Sequence, residues 1–151
     1  MLPTAHVATA LAVNRLAGFR AGNAPAILGA LVPDMIDKTL SWVLRITPTA
    51  RHIAHTPLSV GVLSLGASKL MGARWGRAFA TAYTVHLLGD LWHGGRIPWL
   101  LPFKRYDWRA KPWHVDFSPD LLVLEALGAA AIVVLLRLPD PTDEGPATLS
   151  S

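Results

Sequence analysis

The stretch from Thr81 to His93 is mostly apolar and has the pattern of a helix, yet it contains three ionisable side chains. His86 and Asp90 are four residues apart, so a helix places them one above the other on a single face. His93 follows one turn further on. Burying a charged group is costly unless it is paired or binds a metal. Any fold that includes this helix must therefore supply partners for the imidazole and the carboxylate.

The other apolar segments also have helical lengths and show no strand-like alternation, so the sequence predicts an all-α bundle of about five to six helices. Pro33 is expected to end or kink the second helix. A loop rich in Trp and Pro, from Arg96 to Phe117, precedes the last helix. The expected helices are Thr4–Phe19, Ala24–Leu31, Lys38–Ile46, Pro57–Met71, Arg77–Trp92 and Leu121–Leu138. We predict one helical membrane domain at residues 1–138 and a disordered tail at residues 139–151, which lack an apolar pattern.

Composition favours a membrane protein. The chain is 52% hydrophobic and 16% charged, whereas soluble domains are about 45–50% apolar and about 25% charged. At about 1.5 Å per residue, the segment Leu121–Leu138 nearly spans a hydrocarbon core of about 30 Å. We therefore predict a multi-pass protein of the inner or plasma membrane that contacts membrane lipid. The pattern leaves the oligomeric state unassigned.

The net charge is +4, but the basic residues are not clustered on one helix face. They lie singly at the ends of apolar segments, as in membrane proteins, so we expect no nucleic-acid partner. The chain has no cysteine, which excludes disulfides and thiolate metal sites.

Several ionisable residues lie in or beside apolar segments. Ionisable groups at membrane depth usually face the interior of a bundle and mark function. Imidazole and carboxylate ligands without sulfur suit zinc, manganese or iron, and helical bundles build metal sites from inward residues at i, i+3 and i, i+4 spacing. We predict a site for one or two divalent ions, with zinc first and manganese or iron as alternatives. The candidates are His6, Asp34, Asp37, His55, His86 and Asp90.

Each of these residues also has a simpler explanation when it is considered alone. His6 is near a helix terminus and would face water. Either Asp34 or Asp37 would cap the next helix, which explains one carboxylate better than two. Arg51 and His52 would belong to a polar loop, and His55 would contact the start of the following helix.

Four short blocks occur in order along the chain. They are an early histidine, a block similar to L-P-D-x-D, a block similar to H-R-G-x-T-H-[ST], and an H-x-x-x-D helix that precedes a Pro-rich segment. In this sequence they are His6, Val32–Asp37, Ala50–Thr56, and His86–Asp90 with Ile97–Phe103. Together they resemble the YdjM-type family of membrane-bound proteins, which are predicted to be metal-dependent hydrolases.

The chain departs from this family pattern at three places. Ala50 replaces the leading histidine of the third block, and His52 stands where glycine is usual. Asp37 is one residue further from Asp34 than a strict P-D-x-D pattern would place it. His93 has no secure counterpart, so the participation of His52 and His93 in the site stays open.

The resemblance and the residue pattern together imply a membrane-bound hydrolase in which a metal-activated water attacks an ester or a phosphoester. The substrate would be a small molecule or a lipid-linked compound. Asp37 would be a ligand or the general base, and Arg51 would orient an anionic substrate or a ligand carboxylate. The ligands would be His6, Asp34, His55, His86 and Asp90. Two alternatives are a transporter-like membrane protein that binds metal ions or protons, and a non-catalytic structural membrane protein.

Overall fold

Five α-helices form the described part of the chain. A computed structural model describes residues 3–92, 96–106 and 118–139. The helices are α1 (Pro3–Leu16), α2 (Ala24–Lys38), α3 (Pro57–Met71), α4 (Ala73–Trp92) and α5 (Pro119–Arg137), and a π-helical segment, Thr39–Val43, continues α2. These residue ranges contain no strand. The predicted all-α fold is confirmed.

Prolines lie at the starts of four helices, and Pro3 is the first residue of α1. Pro25, Pro57 and Pro119 lie in the first turns of α2, α3 and α5, where the missing N–H of proline costs no hydrogen bond. The start of α3 also has a capping box, in which the Thr56 hydroxyl accepts a hydrogen bond from the Ser59 N–H at 3.0 Å. Because these signals are local, the sequence predicted the bounds of α3 correctly.

The first helix is shorter than predicted. It ends at Leu16 rather than at Phe19. The chain turns at Gly18, whose φ is 67° and whose N–H donates to the Arg15 carbonyl at 3.0 Å. A left-handed residue after the last turn is a common way to end a helix, and glycine adopts it at little cost.

The second helix differs most from the prediction, because α2 continues through Pro33 to Lys38. The separate helix expected at Lys38–Ile46 is replaced by the π-helical segment that follows without a break. A proline in a helix removes one backbone hydrogen bond. Here Pro33 is fully buried, so the packing of its side chain offsets the cost of the missing backbone hydrogen bond. As a result, Asp34 and Asp37 lie on one face of a continuous helix.

Small residues bring α1, α2 and α4 into close contact. A Cβ atom built on Gly29 of α2 would lie 2.5 Å from the carbonyl oxygen of Phe79 in α4. The apolar core between the three helices consists of Val7, Ala10, Leu11, Ala26, Ala30 and Ala82. These short side chains let the backbones approach, and the buried polar residues lie beside this core.

A tight hairpin at Gly72, whose φ is 94°, joins α3 to α4. The phenol of Tyr83, in α4, donates a hydrogen bond to the Ala54 carbonyl at 2.6 Å. Tyr83 is fully buried. The contact therefore holds the loop before α3 against α4, and this loop contains two of the predicted site residues.

The last helix packs on α1 and is otherwise largely exposed. Only Gly128 of α5 is fully buried. Within the described ranges, α5 alone is long and apolar enough to cross a membrane. The multi-pass arrangement therefore stays a prediction. His93, residues 107–117 of the Trp- and Pro-rich loop, and residues 140–151 of the predicted tail lie outside the described residues.

Candidate metal centre

The face of α4 that carries His86 and Asp90 points into the bundle. Both side chains are almost completely buried, with exposed fractions of 0% and 1%. The face lies against α2, α1 and the loop before α3. Each of these elements contributes ionisable side chains, so the partners that the sequence required are present.

Four buried donor atoms converge at this face, and we call the side chains that carry them the His–Asp cluster (Asp34, His55, His86 and Asp90). The Nε2 atom of His55 lies 3.3 Å from Nε2 of His86 and 3.3 Å from Oδ2 of Asp90. It lies 3.6 Å from Oδ1 of Asp34. The His86 Nε2 atom lies 3.9 Å from each of the same two carboxylate oxygens.

These separations are close to those of ligand atoms around a metal ion. In a tetrahedral zinc site, with zinc–ligand distances of about 2.0–2.1 Å, neighbouring ligand atoms are roughly 3.3–3.4 Å apart. The observed distances require only a small contraction to reach that geometry. Buried His and Asp groups of this kind can hold a metal ion.

Both histidines of the cluster are oriented by a partner on the other ring nitrogen. Nδ1 of His86 is 2.6 Å from the Ala30 carbonyl oxygen, so it carries the hydrogen and leaves the Nε2 lone pair free. Nδ1 of His55 is 2.8 Å from Oδ2 of Asp37. Such partners fix the tautomer of metal-binding histidines. When both rings are neutral, their two Nε2 lone pairs face each other, and a metal ion between them would satisfy both.

Asp37 does not face the other donor atoms but holds the loop before α3. One of its oxygens accepts hydrogen bonds from the backbone N–H groups of His52 and His55, at 2.6 and 3.1 Å. The other accepts from the Ala54 N–H at 3.0 Å. Together with the His55 ring, four N–H groups share this fully buried carboxylate. Asp37 therefore fixes the position of His55.

His6 approaches the cluster from α1. Its ring stacks on that of His86 with the centroids 4.0 Å apart, and its Nε2 atom lies 3.5 Å from Oδ1 of Asp90. The His6 Nε2 atom is buried and makes no hydrogen bond. A buried nitrogen without a partner beside a carboxylate suits a metal ligand. His6, His86 and Asp90 form a second group that can hold an ion.

Two cations bind the carboxylates of the cluster from outside. Lys38 pairs with Oδ2 of Asp34, one helical turn away. Arg51 contacts both oxygens of Asp90, with its terminal nitrogen 2.9 Å from Oδ1. Burial alone would lower the pKa of Arg51, but the Asp90 carboxylate outweighs it and raises that pKa. Arg51 therefore stays charged and holds the Asp90 carboxylate in place.

Three carboxylates determine the protonation of His55. Burial lowers the pKa of the His55 imidazole, but hydrogen bonds with Asp34, Asp37 and Asp90 outweigh burial and raise the pKa to about 10. Without a bound ion, His55 therefore carries a proton at neutral pH, and this positive charge lies among the carboxylates. A divalent ion would take the place of that proton.

The structure brings the five predicted ligands together and places Arg51 beside them. Lys38, the first residue of the helix predicted at Lys38–Ile46, pairs with Asp34 at this site, and its i, i+4 spacing from Asp34 was a usable signal. His52 contributes its backbone N–H to Asp37, while its ring is outside the groups of potential ligands. His93 lies outside the described residues.

Comparison with known proteins gives one result. A family model described as YdjM inner membrane protein matches residues 1–142 of the chain. Neither the curated proteins nor the solved structures include a significant match. The matched segment includes every residue of the His–Asp cluster.

Proposed function

The chain belongs to the YdjM inner membrane protein family, and we propose that it is a membrane-bound, metal-dependent hydrolase. The observation that carries this proposal is the His–Asp cluster, in which two oriented imidazoles and two carboxylates converge within a largely apolar protein. Burying such groups lowers the stability of the fold unless they have partners. A bound metal ion therefore explains the cluster better than a contribution to folding stability does.

The ligands of the proposed site would be the four residues of the His–Asp cluster, with His6 completing the second group. A bound divalent ion would act as a Lewis acid and would lower the pKa of a water molecule, which would provide the nucleophile near neutral pH. Zinc suits this ligand set best, and manganese and iron are the alternatives. The two overlapping groups share His86, whose Nε2 lone pair would bind one ion, so a second ion would be held by the other ligands of its group.

The protein's own residues then hold the reacting parts in place. Asp37 fixes the His55 ring and the backbone of its loop, so we assign it a positioning role. Arg51 holds both oxygens of Asp90 and would keep this carboxylate oriented during turnover. A substrate ester would approach from the partly exposed side of Arg51, because the ligands themselves are buried.

The membrane setting suggests where the substrate comes from. The helix α5 would cross the bilayer, and the remaining apolar helices would make the protein multi-pass in the inner membrane. A lipid-linked ester or phosphoester would then reach the site from the membrane. Lipidomics on a deletion strain would reveal an accumulated phospholipid or isoprenoid phosphate, and an unchanged profile would count against a lipid substrate.

Metal analysis tests the core of the proposal. We expect detergent-purified protein to contain a divalent ion by elemental mass spectrometry and the His86→Ala variant to lose it. The matched control is His52→Ala, which removes an imidazole but keeps the backbone N–H that binds Asp37. Equal metal content in wild type and His86→Ala would overturn the site.

Hydrolysis is tested separately with the metal-loaded protein. Chromogenic carboxylic esters and phosphoesters should be cleaved by wild type and not by His86→Ala. A metal-loaded protein that cleaves neither, but carries metal ions into proteoliposomes, would replace the hydrolase by a transporter.

A further inference from the structure

Two side-chain cations separate the buried ligands from the surface. The Lys38 and Arg51 side chains are 28% and 37% exposed, whereas those of their partners, Asp34 and Asp90, are 12% and 2% exposed. The cluster histidines are fully buried. A molecule that reaches the cluster from solvent would therefore meet these two cations first.

The carboxylates that bind the two cations face a common atom. Lys38 is bound to Asp34 and Arg51 to Asp90. Oxygens of these two carboxylates lie 3.6 and 3.3 Å from the same atom, Nε2 of His55. Lys38 and Arg51 are thus each attached to the cluster by one carboxylate, and the two carboxylates face the same nitrogen.

The charge balance shows what this arrangement attracts. Asp34, Asp37 and Asp90 carry three negative charges. A divalent ion together with Lys38 and Arg51 carries four positive charges, so the loaded cluster would have a net positive charge. Its two side-chain cations would be on the exposed side, where they can contact an anion.

We propose that Lys38 and Arg51 form a clamp for the phosphoryl group of a phosphoester substrate. This inference rests on the proposed metal-dependent hydrolase and specifies its substrate class. Arg51 holds Asp90 through Nε and one terminal nitrogen, so the edge formed by its two terminal nitrogens would contact the phosphoryl oxygens. The ammonium of Lys38, which also binds Asp34, would provide a second positive charge. Phosphoryl transfer depends on positioning and on charge stabilisation of this kind.

Two simpler roles are less consistent with the geometry. A neutral carboxylic ester would gain little from two cations at the entrance to its site. If the cations served only to neutralise the three carboxylates, one of them together with a divalent ion would be sufficient, and the second positive charge would be in excess. A phosphoryl group would be stabilised by the positive charge of both side chains and could reach them because they are partly exposed.

Binding of inorganic phosphate tests the clamp without requiring turnover. Calorimetric titration of the metal-loaded protein in detergent should show binding that Lys38→Met and Arg51→Lys each weaken about tenfold or more, because each loses a charged or forked hydrogen bond. The matched control is Arg77→Gln. Arg77 is exposed, and its side chain donates to Ala73 of its own helix.

Metal content, measured on the same samples, separates the possible failures. If wild type holds no metal, the proposed function itself fails. If wild type holds metal but does not bind phosphate, or if both variants retain metal and bind phosphate as the control does, the clamp is overturned while the metal site stands. Arg51→Lys keeps a positive charge beside Asp90 and removes the guanidinium geometry. It therefore tests whether phosphate binding depends on that geometry rather than on charge alone.

Competition identifies the source of the phosphoryl group. Nanodiscs that contain phosphatidic acid, and separately a soluble phosphomonoester, are titrated against bound inorganic phosphate, with phosphatidylcholine nanodiscs as the control. Displacement by phosphatidic acid supports the clamp and indicates a lipid substrate. Displacement by the soluble ester alone supports the clamp and indicates a soluble one, whereas displacement by neither overturns it.

Discussion

Replacement of Asp37 by asparagine is the sharpest test of how the site is held. The carboxylate accepts four N–H groups and is fully buried. Asparagine has one oxygen, which would serve the three donors at Oδ2. Its amide would then point a donor at the Ala54 N–H. One buried backbone N–H would lose its partner, and the other bonds would lose their charge.

The expected loss of stability follows from these contacts. An unsatisfied buried N–H costs about 1–3 kcal/mol, and charge-assisted bonds are roughly twice as strong as neutral ones. We expect Asp37→Asn to lower the free energy of unfolding by about 2–4 kcal/mol. Metal affinity should fall about 10- to 100-fold, as is typical when the partner of a ligand histidine is removed.

The assay is thermal unfolding in detergent, with and without a chelator, together with metal titration. The control is Asp120→Asn, an exposed carboxylate in the first turn of α5, where the helix dipole is worth about 0.3–1 kcal/mol. Stability and metal affinity equal to those of the control would refute the positioning role. If hydrolysis alone were lost, Asp37 would instead be the general base.

Three further changes probe the packing, the second group of ligands and the protonation of the site. Gly29→Ala would place a Cβ atom 2.5 Å from a carbonyl oxygen of α4, so we expect a destabilisation of about 1–3 kcal/mol by thermal unfolding. The control Gly61→Ala has no atom within 4 Å of the added Cβ and should stabilise by up to about 1 kcal/mol, because alanine favours a helix more than glycine does; equal effects would contradict the close contact. His6→Ala should lower the metal content measured by elemental mass spectrometry without abolishing it, because the His–Asp cluster remains, and complete loss would make His6 essential. Since the pKa of His55 is about 10 in the metal-free site and metal binding must displace this proton, calorimetric affinity should rise by roughly tenfold per pH unit between pH 6 and 8; a flat profile would contradict a His55 ligand.

Local signals predicted much of this fold, and long-range packing decided the rest. Pro57 and the Thr56 cap define the start of α3 without reference to other helices. Pro33 is a local signal too, and it gave the wrong helix boundary. Its cost is offset by burial against other helices, which no local pattern reveals. The continuous helix matters because it aligns Asp34 with Asp37.

In the candidate site, too, local spacing predicted some features and long-range contacts decided the others. The i, i+4 spacing placed His86 and Asp90 on one face, and the structure adds that this face is buried. The hydrogen bonds of Asp37 could not be predicted, because they join α2 to loop residues 15 to 18 positions away. A carboxylate that binds backbone N–H groups and one that binds a metal look alike in a sequence.

The membrane-spanning candidate and the metal site are connected through the first turn of α1. Glu125 would be a costly charge in so apolar a helix as α5, but its carboxylate accepts hydrogen bonds from the backbone N–H and the hydroxyl of Thr4. These groups lie at the start of α1, where unpaired N–H groups favour a negative charge. Two residues further on, His6 stacks on His86. One contact that attaches α5 to the bundle is therefore made with the same helical turn that brings His6 to the His–Asp cluster. Glu125 thus helps to hold an otherwise largely exposed apolar helix to the bundle, together with Ile132 and Leu135, which pack against the core.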